Sequence, residues 1–118
     1  MALYRFGHRD VFEFDSATGE VRSDGRCVRL RPQPARALEH LLQRHGELVS
    51  RAELRRALWP EDTFVHFDDG LNSCIKQLRA ALGDSRSAPR YVQTLVKRGF
   101  RFVAPVMMEP PGHPERRT

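Results

Sequence analysis

Asn72, Ser73, Lys76 and Gln77 lie in a stretch, Leu71 to Leu82, whose apolar residues recur at helical spacing. At about 100° per residue, Leu71, Ile75, Leu78 and Leu82 share one side, with Cys74 and Ala81 on its shoulders. The other side carries Asn72, Ser73, Lys76 and Ala80, with Gln77 and Arg79 at its margins. Amide, hydroxyl and ammonium groups can pair with base edges in a major groove, which is wide enough for an α-helix. Small residues such as Ala80 let the backbone approach another surface closely. A plainly solvated helix face has the same periodicity, so the residues C-terminal to the helix must decide.

Those residues spell a cationic hairpin. Gly83 offers a left-handed helix end, Asp84 to Pro89 has loop composition, and Tyr91 to Val96 has strand propensity. Lys97-Arg98-Gly99 turns the chain and Phe100 to Val103 returns it. Between Ser85 and Met108 stand Arg86, Arg90, Lys97, Arg98 and Arg101, with no acid. A turn of that kind suits a phosphate backbone or a narrow minor groove. The alternative is an edge hairpin blunted with Lys and Arg against aggregation.

The elements upstream must hold this helix and hairpin in place. Tyr4-Arg5-Phe6 predicts a first strand, and Phe12 and Phe14 alternate with Glu13 in a second. Asp24-Gly25 favours a two-residue type I′ turn, pairing Glu20 to Ser23 with Arg26 to Leu30, where Val28 and Leu30 alternate with Arg29. Pro32 and Pro34 fit the first turn of a helix whose stripe is Ala35, Leu38, Leu41 and Leu42, ending at His45-Gly46. Leu48-Val49 predicts a short strand before Ser50-Arg51-Ala52-Glu53, which has capping-box spacing, and a second helix to about Trp59. The fold class expected is α+β, with a four-stranded antiparallel N-terminal sheet, three helices and a C-terminal β-hairpin. Residues 1–106 form one domain in this reading, and the Pro-rich residues 107–118 a disordered tail or linker that a longer protein would continue.

Bulk properties narrow the function classes. A chain of 118 residues has room for one core. Its net charge of +5 and pI near 10.0 call for an anionic partner. No apolar run approaches membrane-spanning length and the N-terminus is not a signal peptide, so the expected location is cytoplasmic, without membrane contact by this domain. Neither Cys27 nor Cys74 belongs to a metal-ligand cluster, and both read as small core residues. His66-Phe67-Asp68-Asp69 is explained more simply by helix capping through an Asp than by a metal site. With no nucleophile elbow, phosphate loop or paired carboxylates, neither an enzyme nor a cofactor is expected.

The order of strands, Leu30-Arg31-Pro32, Leu48 to Leu54, Leu58-Trp59, Ile75 to Asp84 and Tyr91 to Phe102 resembles the OmpR/PhoB-type winged helix-turn-helix DNA-binding domain of bacterial transcription regulators. The resemblance covers about Leu3 to Val106. It implies that residues 69–82 are a recognition helix in the major groove, and residues 91–103 a wing on the backbone or minor groove. By position it assigns base readout to Asn72, Ser73, Lys76 and Gln77, and backbone contact to Ser50, Arg51, Trp59, Arg79 and Thr94. The wing cations would be Lys97, Arg98 and Arg101, and the loop with Glu61, Asp62 and Phe64 would meet RNA polymerase or another partner. Double-stranded DNA is the implied partner, with homodimers on tandem half-sites. A winged helix kept as a protein-interaction module is the alternative.

Three departures from the family pattern stand out. Val96 holds a wing position where an arginine is common, and Arg31 one where a threonine cap is common. The third is an expected domain order, with no phosphate-receiver domain ahead of the winged helix, as in regulators in which the winged helix comes first.

Overall fold

The structure is a computed structural model that describes residues 3–59 and 67–108. Two antiparallel sheets flank three helices. In the first sheet β1 (Leu3–Gly7), β2 (Val11–Asp15), β3 (Glu20–Ser23) and β4 (Arg26–Arg29) form a meander. Asp24 and Gly25, with φ of 51° and 80°, make the tight β3–β4 turn that the Asp-Gly pair predicts. Cross-strand partners share a face, so Tyr4 and Phe14, Phe6 and Phe12, and Val21 and Val28 lie on the same inner side.

That alternation corrects the reading of Cys27. Val28 and Leu30 point inward, so Cys27 between Arg26 and Val28 points outward and is exposed, whereas Cys74 is buried. The sheet also has a fifth strand. β8 (Val106–Met108) pairs with β1, and the Gly7 N–H donates to the Pro105 carbonyl at 3.0 Å. Met107 and Met108 are therefore strand rather than the start of a tail. The reason lies in β1, whose outer edge would otherwise leave backbone groups unpaired.

Helix α1 (Pro32–Gln43) starts without a side-chain cap at Arg31 and buries Ala35, Leu38, Leu41 and Leu42. After β5 (Leu48–Ser50), helix α2 (Arg51–Leu58) is capped by Ser50, whose Oγ accepts the Glu53 N–H at 3.0 Å. The expected reciprocal arm of the capping box is diverted. The Glu53 carboxylate meets the His40 Nε2 at 2.6 Å and the Arg44 guanidinium, tying α2 to the end of α1. Helix α3 (Phe67–Leu82) begins two residues earlier than expected, so Asp68 falls inside its first turn rather than ahead of it. Residues 60–66, with Glu61, Asp62 and Phe64, lie outside the described residues.

The second sheet has the order β5-β7-β6, with β6 (Val92–Leu95) and β7 (Gly99–Phe102) forming the hairpin. A Cβ on Gly99 would sit 2.1 Å from the Val49 carbonyl oxygen, so only glycine lets β7 approach β5 here. The two sheets meet edge to face through aromatic rings. Phe6 lies 5.2 Å from Phe102 and 6.2 Å from Tyr91, centroid to centroid. Leu38, Leu41, Leu54, Leu58, Leu71, Ile75 and Leu78 complete the core between them. Among the described residues, no helix is long and apolar enough to cross a membrane.

Candidate nucleic-acid interface

Helix α3 divides along its length as the sequence requires. Leu71, Cys74, Ile75, Leu78 and Leu82 are buried, while Asn72, Ser73, Lys76, Gln77 and Ala80 are exposed. Burial pushes the Cys74 thiol pKa up, which keeps it protonated and removes it from any polar surface. Along the outer face the Gln77 Nε2 donates to the Ser73 Oγ at 3.1 Å, one turn earlier. The Arg51 guanidinium reaches from the start of α2 to the Asn72 Oδ1 at 3.3 Å and stacks over the Phe100 ring at 5.7 Å. Arg51 therefore links three elements at the rim of the exposed face.

Between α3 and the hairpin runs an open cleft of about 760 Å³, with Arg51, Asn72, Lys76, Arg79, Thr94 and Lys97 among its lining. Six of the residues singled out from the sequence thus converge on one concavity. Arg86 joins them from the loop after α3, a place that its charge in the sequence does not announce. Among the described residues Asp84 is the one acid in that lining, and its oxygens are occupied. Oδ1 accepts from the Arg90 N–H at 2.8 Å, and Oδ2 from the Tyr91 and Val92 N–H groups at 3.2 and 2.8 Å. A concave surface lined by cations, on which the Asp84 carboxylate is spent on backbone donors, concentrates positive potential.

The hairpin tip reaches beyond this cleft. The Arg98 N–H donates to the Leu95 carbonyl at 2.8 Å and Lys97 has φ of 65°, so the turn between β6 and β7 is tight and includes a left-handed lysine. Lys97 and Arg98 are exposed. Val96, at the position where the resemblance leads one to expect an arginine, is 68% exposed. An exposed apolar side chain thus precedes the two cations of the turn.

Other residues stand apart. Arg101 pairs across the sheet with Gln93 and Leu48, on the face opposite Thr94 and Phe100, so it does not share the cleft. Ser50 spends its oxygen on the α2 cap. The Trp59 ring lies against Gly70, where a Cβ would come within 3.0 Å of two of its ring carbons. Gly70 is therefore what lets α3 pack on the end of α2, a role that no local sequence signal announces. Arg79 is turned inward: its Nη2 donates to the Val92 carbonyl at 2.9 Å and to Thr94 Oγ1 at 2.5 Å. Desolvation lowers its pKa, with Asp84 opposing that shift.

Comparison with known proteins agrees with this geometry. The family model described as "Transcriptional regulatory protein, C terminal" matches residues 25–102. The cholera toxin transcriptional activator of Vibrio cholerae serotype O1 is 39% identical over 100 residues, covering 82% of this chain and 34% of that protein. The transcriptional regulatory protein KdpE of Mycobacterium tuberculosis is 36% identical over 97 residues, covering 80% of this chain and 42% of its own length. The chain thus spans only 34 to 42% of the length of these relatives.

Among solved structures, the DNA-binding domain of E. coli CadC superposes with a TM-score of 0.75 at 25% identity, covering 91% of this chain and 96% of that one. The Klebsiella pneumoniae RstA DNA-binding domain, solved in complex with the RstA box, gives 0.66 at 22% identity over 81% and 98% of the two chains, a likeness of fold. With a family match over more than half of its residues and a shared fold, the chain belongs to the transcriptional regulatory protein C-terminal family, the OmpR/PhoB-type winged helix-turn-helix domain.

Proposed function

We propose that this domain binds duplex DNA sequence-specifically as the reading module of a transcription regulator. Helix α3 enters the major groove and the turn at Lys97 and Arg98 rests on the adjacent backbone or minor groove. The observation that carries this reading is the exposed strip of Asn72, Ser73, Lys76 and Gln77 beside a cleft lined by cations. Base edges are read by such amide and ammonium groups, and phosphates by the cations around them.

In this reading Arg51 makes a phosphate contact at the rim, supported by its anchoring to Asn72 and Phe100. Ser50 and Trp59 support the same surface from the cap and the end of α2. One module of this kind buries roughly 600 to 1,000 Å² of protein surface, so tight binding calls for two copies on half-sites about one helical turn apart. The reading also includes the cytoplasm as the working compartment and the segment with Glu61, Asp62 and Phe64 as a contact for RNA polymerase. The DNA-binding unit in this reading takes in β8, with Met107 and Met108.

Selection from a random duplex library at about 0.15 M salt tests the reading, because nonspecific phosphate binding is weak there and base preference shows. Enrichment of one motif, repeated at about ten base pairs for paired half-sites, is the expected result. Binding without enrichment would reduce the role to backbone contact, and no binding would leave the protein-interaction module.

A further inference from the structure

The end of α3 is tied to the hairpin by two side chains that base reading does not require. β6 is the edge strand of its sheet, so the backbone groups on its outer side have no strand partner. Val92 has both of these groups taken by the end of α3: its N–H by the Asp84 carboxylate at 2.8 Å and its carbonyl by the Arg79 guanidinium at 2.9 Å. The same guanidinium donates to Thr94 Oγ1, two residues along the strand. Asp84 is itself fixed by the helix end. The Asp84 N–H donates to the Arg79 carbonyl at 2.8 Å and the Gly83 N–H to the Ala80 carbonyl at 3.3 Å, with Gly83 at φ 67°, the bond pattern of a Schellman end.

We propose that Arg79 and Asp84 are positioning residues that hold the wing at a fixed offset from α3, and so set which spacing between helix-read and wing-contacted base pairs the domain accepts. This rests on the DNA-binding reading above and deepens it. Both contacts of the Arg79 Nη2 are internal, and its Nε is buried without a partner among the described residues. Turning the guanidinium outward to a phosphate would strip the Val92 carbonyl of its donor. Asp84 points the same way, because a carboxylate lining a cleft that faces a polyanion opposes binding unless it serves the structure. Two prongs joined at Val92 and Thr94 move as one body, and a rigid pair of contacts rejects a site whose two halves are misplaced.

The test uses the full chain and the duplex enriched by selection. Footprints of the wild type and of the Lys97→Ala/Arg98→Ala protein locate the segment that the wing touches. A second duplex then carries one inserted base pair between that segment and the helix-read one. The readout is the ratio of affinities for the two duplexes. A smaller folded fraction scales both affinities alike and cancels in the ratio, so a merely structural loss does not move it.

The wild type is expected to favour the parent duplex. Asp84→Ala should lower that ratio about tenfold, the size expected for a lost hydrogen bond to a charged group, and Asp84→Asn, which keeps one acceptor, should lower it less. Arg79→Lys should lower it as well, with a salt slope equal to the wild type's. Asp84→Ala binding both duplexes more tightly at an unchanged ratio would overturn the proposal, since that is what simple removal of a negative charge does. An unchanged ratio in Arg79→Lys with a shallower salt slope would also overturn it, and make Arg79 a phosphate contact. If the wild type enriches no duplex at all, the DNA-binding reading falls first, which separates the two failures.

Discussion

The two sheets are built alike and charged differently. On the outer face of the first, Arg5 sits opposite Glu13 at 2.6 Å and Arg22 sits beside Glu20 at 2.9 Å, so two of its cations have an acid on the same surface, while Arg29 donates to the Thr18 carbonyl. On the hairpin of the second sheet, Lys97 and Arg98 project from a segment that contains no acid between Ser85 and Met108. A cation whose counter-charge comes from the same surface is already neutralised, whereas one without it is left for an external anion. The net charge of +5 is therefore not spread evenly over the molecule, and the composition alone could not show where it gathers.

Both sheets are held in one body by the aromatic seam. Phe102 is fully buried and meets Phe6 edge to face at 5.2 Å. Phe102→Ala should cost about 3 to 5 kcal/mol by emptying this space, measured by urea denaturation. Its loss should also loosen the hairpin relative to the N-terminal sheet, so near-ultraviolet dichroism of Tyr4 and Tyr91 should fall with it. An equilibrium cost below about 1 kcal/mol would mean that the sheets pack independently.

The charge contrast is sharpened by salt. In the Lys97→Ala/Arg98→Ala protein, the plot of log binding constant against log salt should become shallower by about 0.9 for each phosphate no longer neutralised. An unchanged slope would remove the hairpin tip from the contact and leave α3 alone. Val96 supplies an internal standard, since Val96→Ala changes no charge and should leave the slope as it was.

Much of this architecture can be read from local pattern. The alternation Phe12-Glu13-Phe14, the Asp24-Gly25 turn, the leucine stripe of α3 and the Gly83 helix end each depend on a few neighbouring residues, and each appears where the pattern puts it. What the pattern could not show depends on distant partners. β8 exists because β1 has an open edge a hundred residues away in sequence, a pairing that no window around Met107 contains. The inward turn of Arg79 depends on the edge of β6, and the placement of Gly70 on the ring of Trp59. Cys27 is different, because its own strand alternation places it outside and only the residue type suggested the core.

A smaller effect lies at the helix junction beneath the two sheets. Ser50→Ala removes the acceptor of the Glu53 N–H and should cost about 1 kcal/mol in thermal or urea unfolding. The Glu53 carboxyl adds a pH signature. Its hydrogen bond with His40, followed by that from Arg44, holds its pKa below the usual carboxylate range although partial burial pushes the other way. A depressed folded-state value means that the stabilisation is full above the unfolded value of about 4.3 and is lost as pH falls through the folded one. Glu53→Gln should therefore flatten the acid side of the stability profile below about pH 5, while the neutral side shifts only by the lost contact.

The smallest expected effect gives the sharpest control on the contrast between the sheets. Arg5 and Glu13 are directly opposed on neighbouring strands and both are more than a third exposed, so water and salt screen their attraction. Arg5→Ala should change stability by less than about 1 kcal/mol, and it removes the same unit of charge as Lys97→Ala. If net charge alone governed DNA binding, the two variants would weaken it equally. If location governs it, Arg5→Ala should leave both the affinity and the salt slope unchanged while Lys97→Ala lowers them. Charge reversal at Glu13 extends the same test: Glu13→Lys raises the net charge by two, and tighter binding without change in base preference would show the outer sheet face joining the DNA contact, against the division of charge between the two sheets.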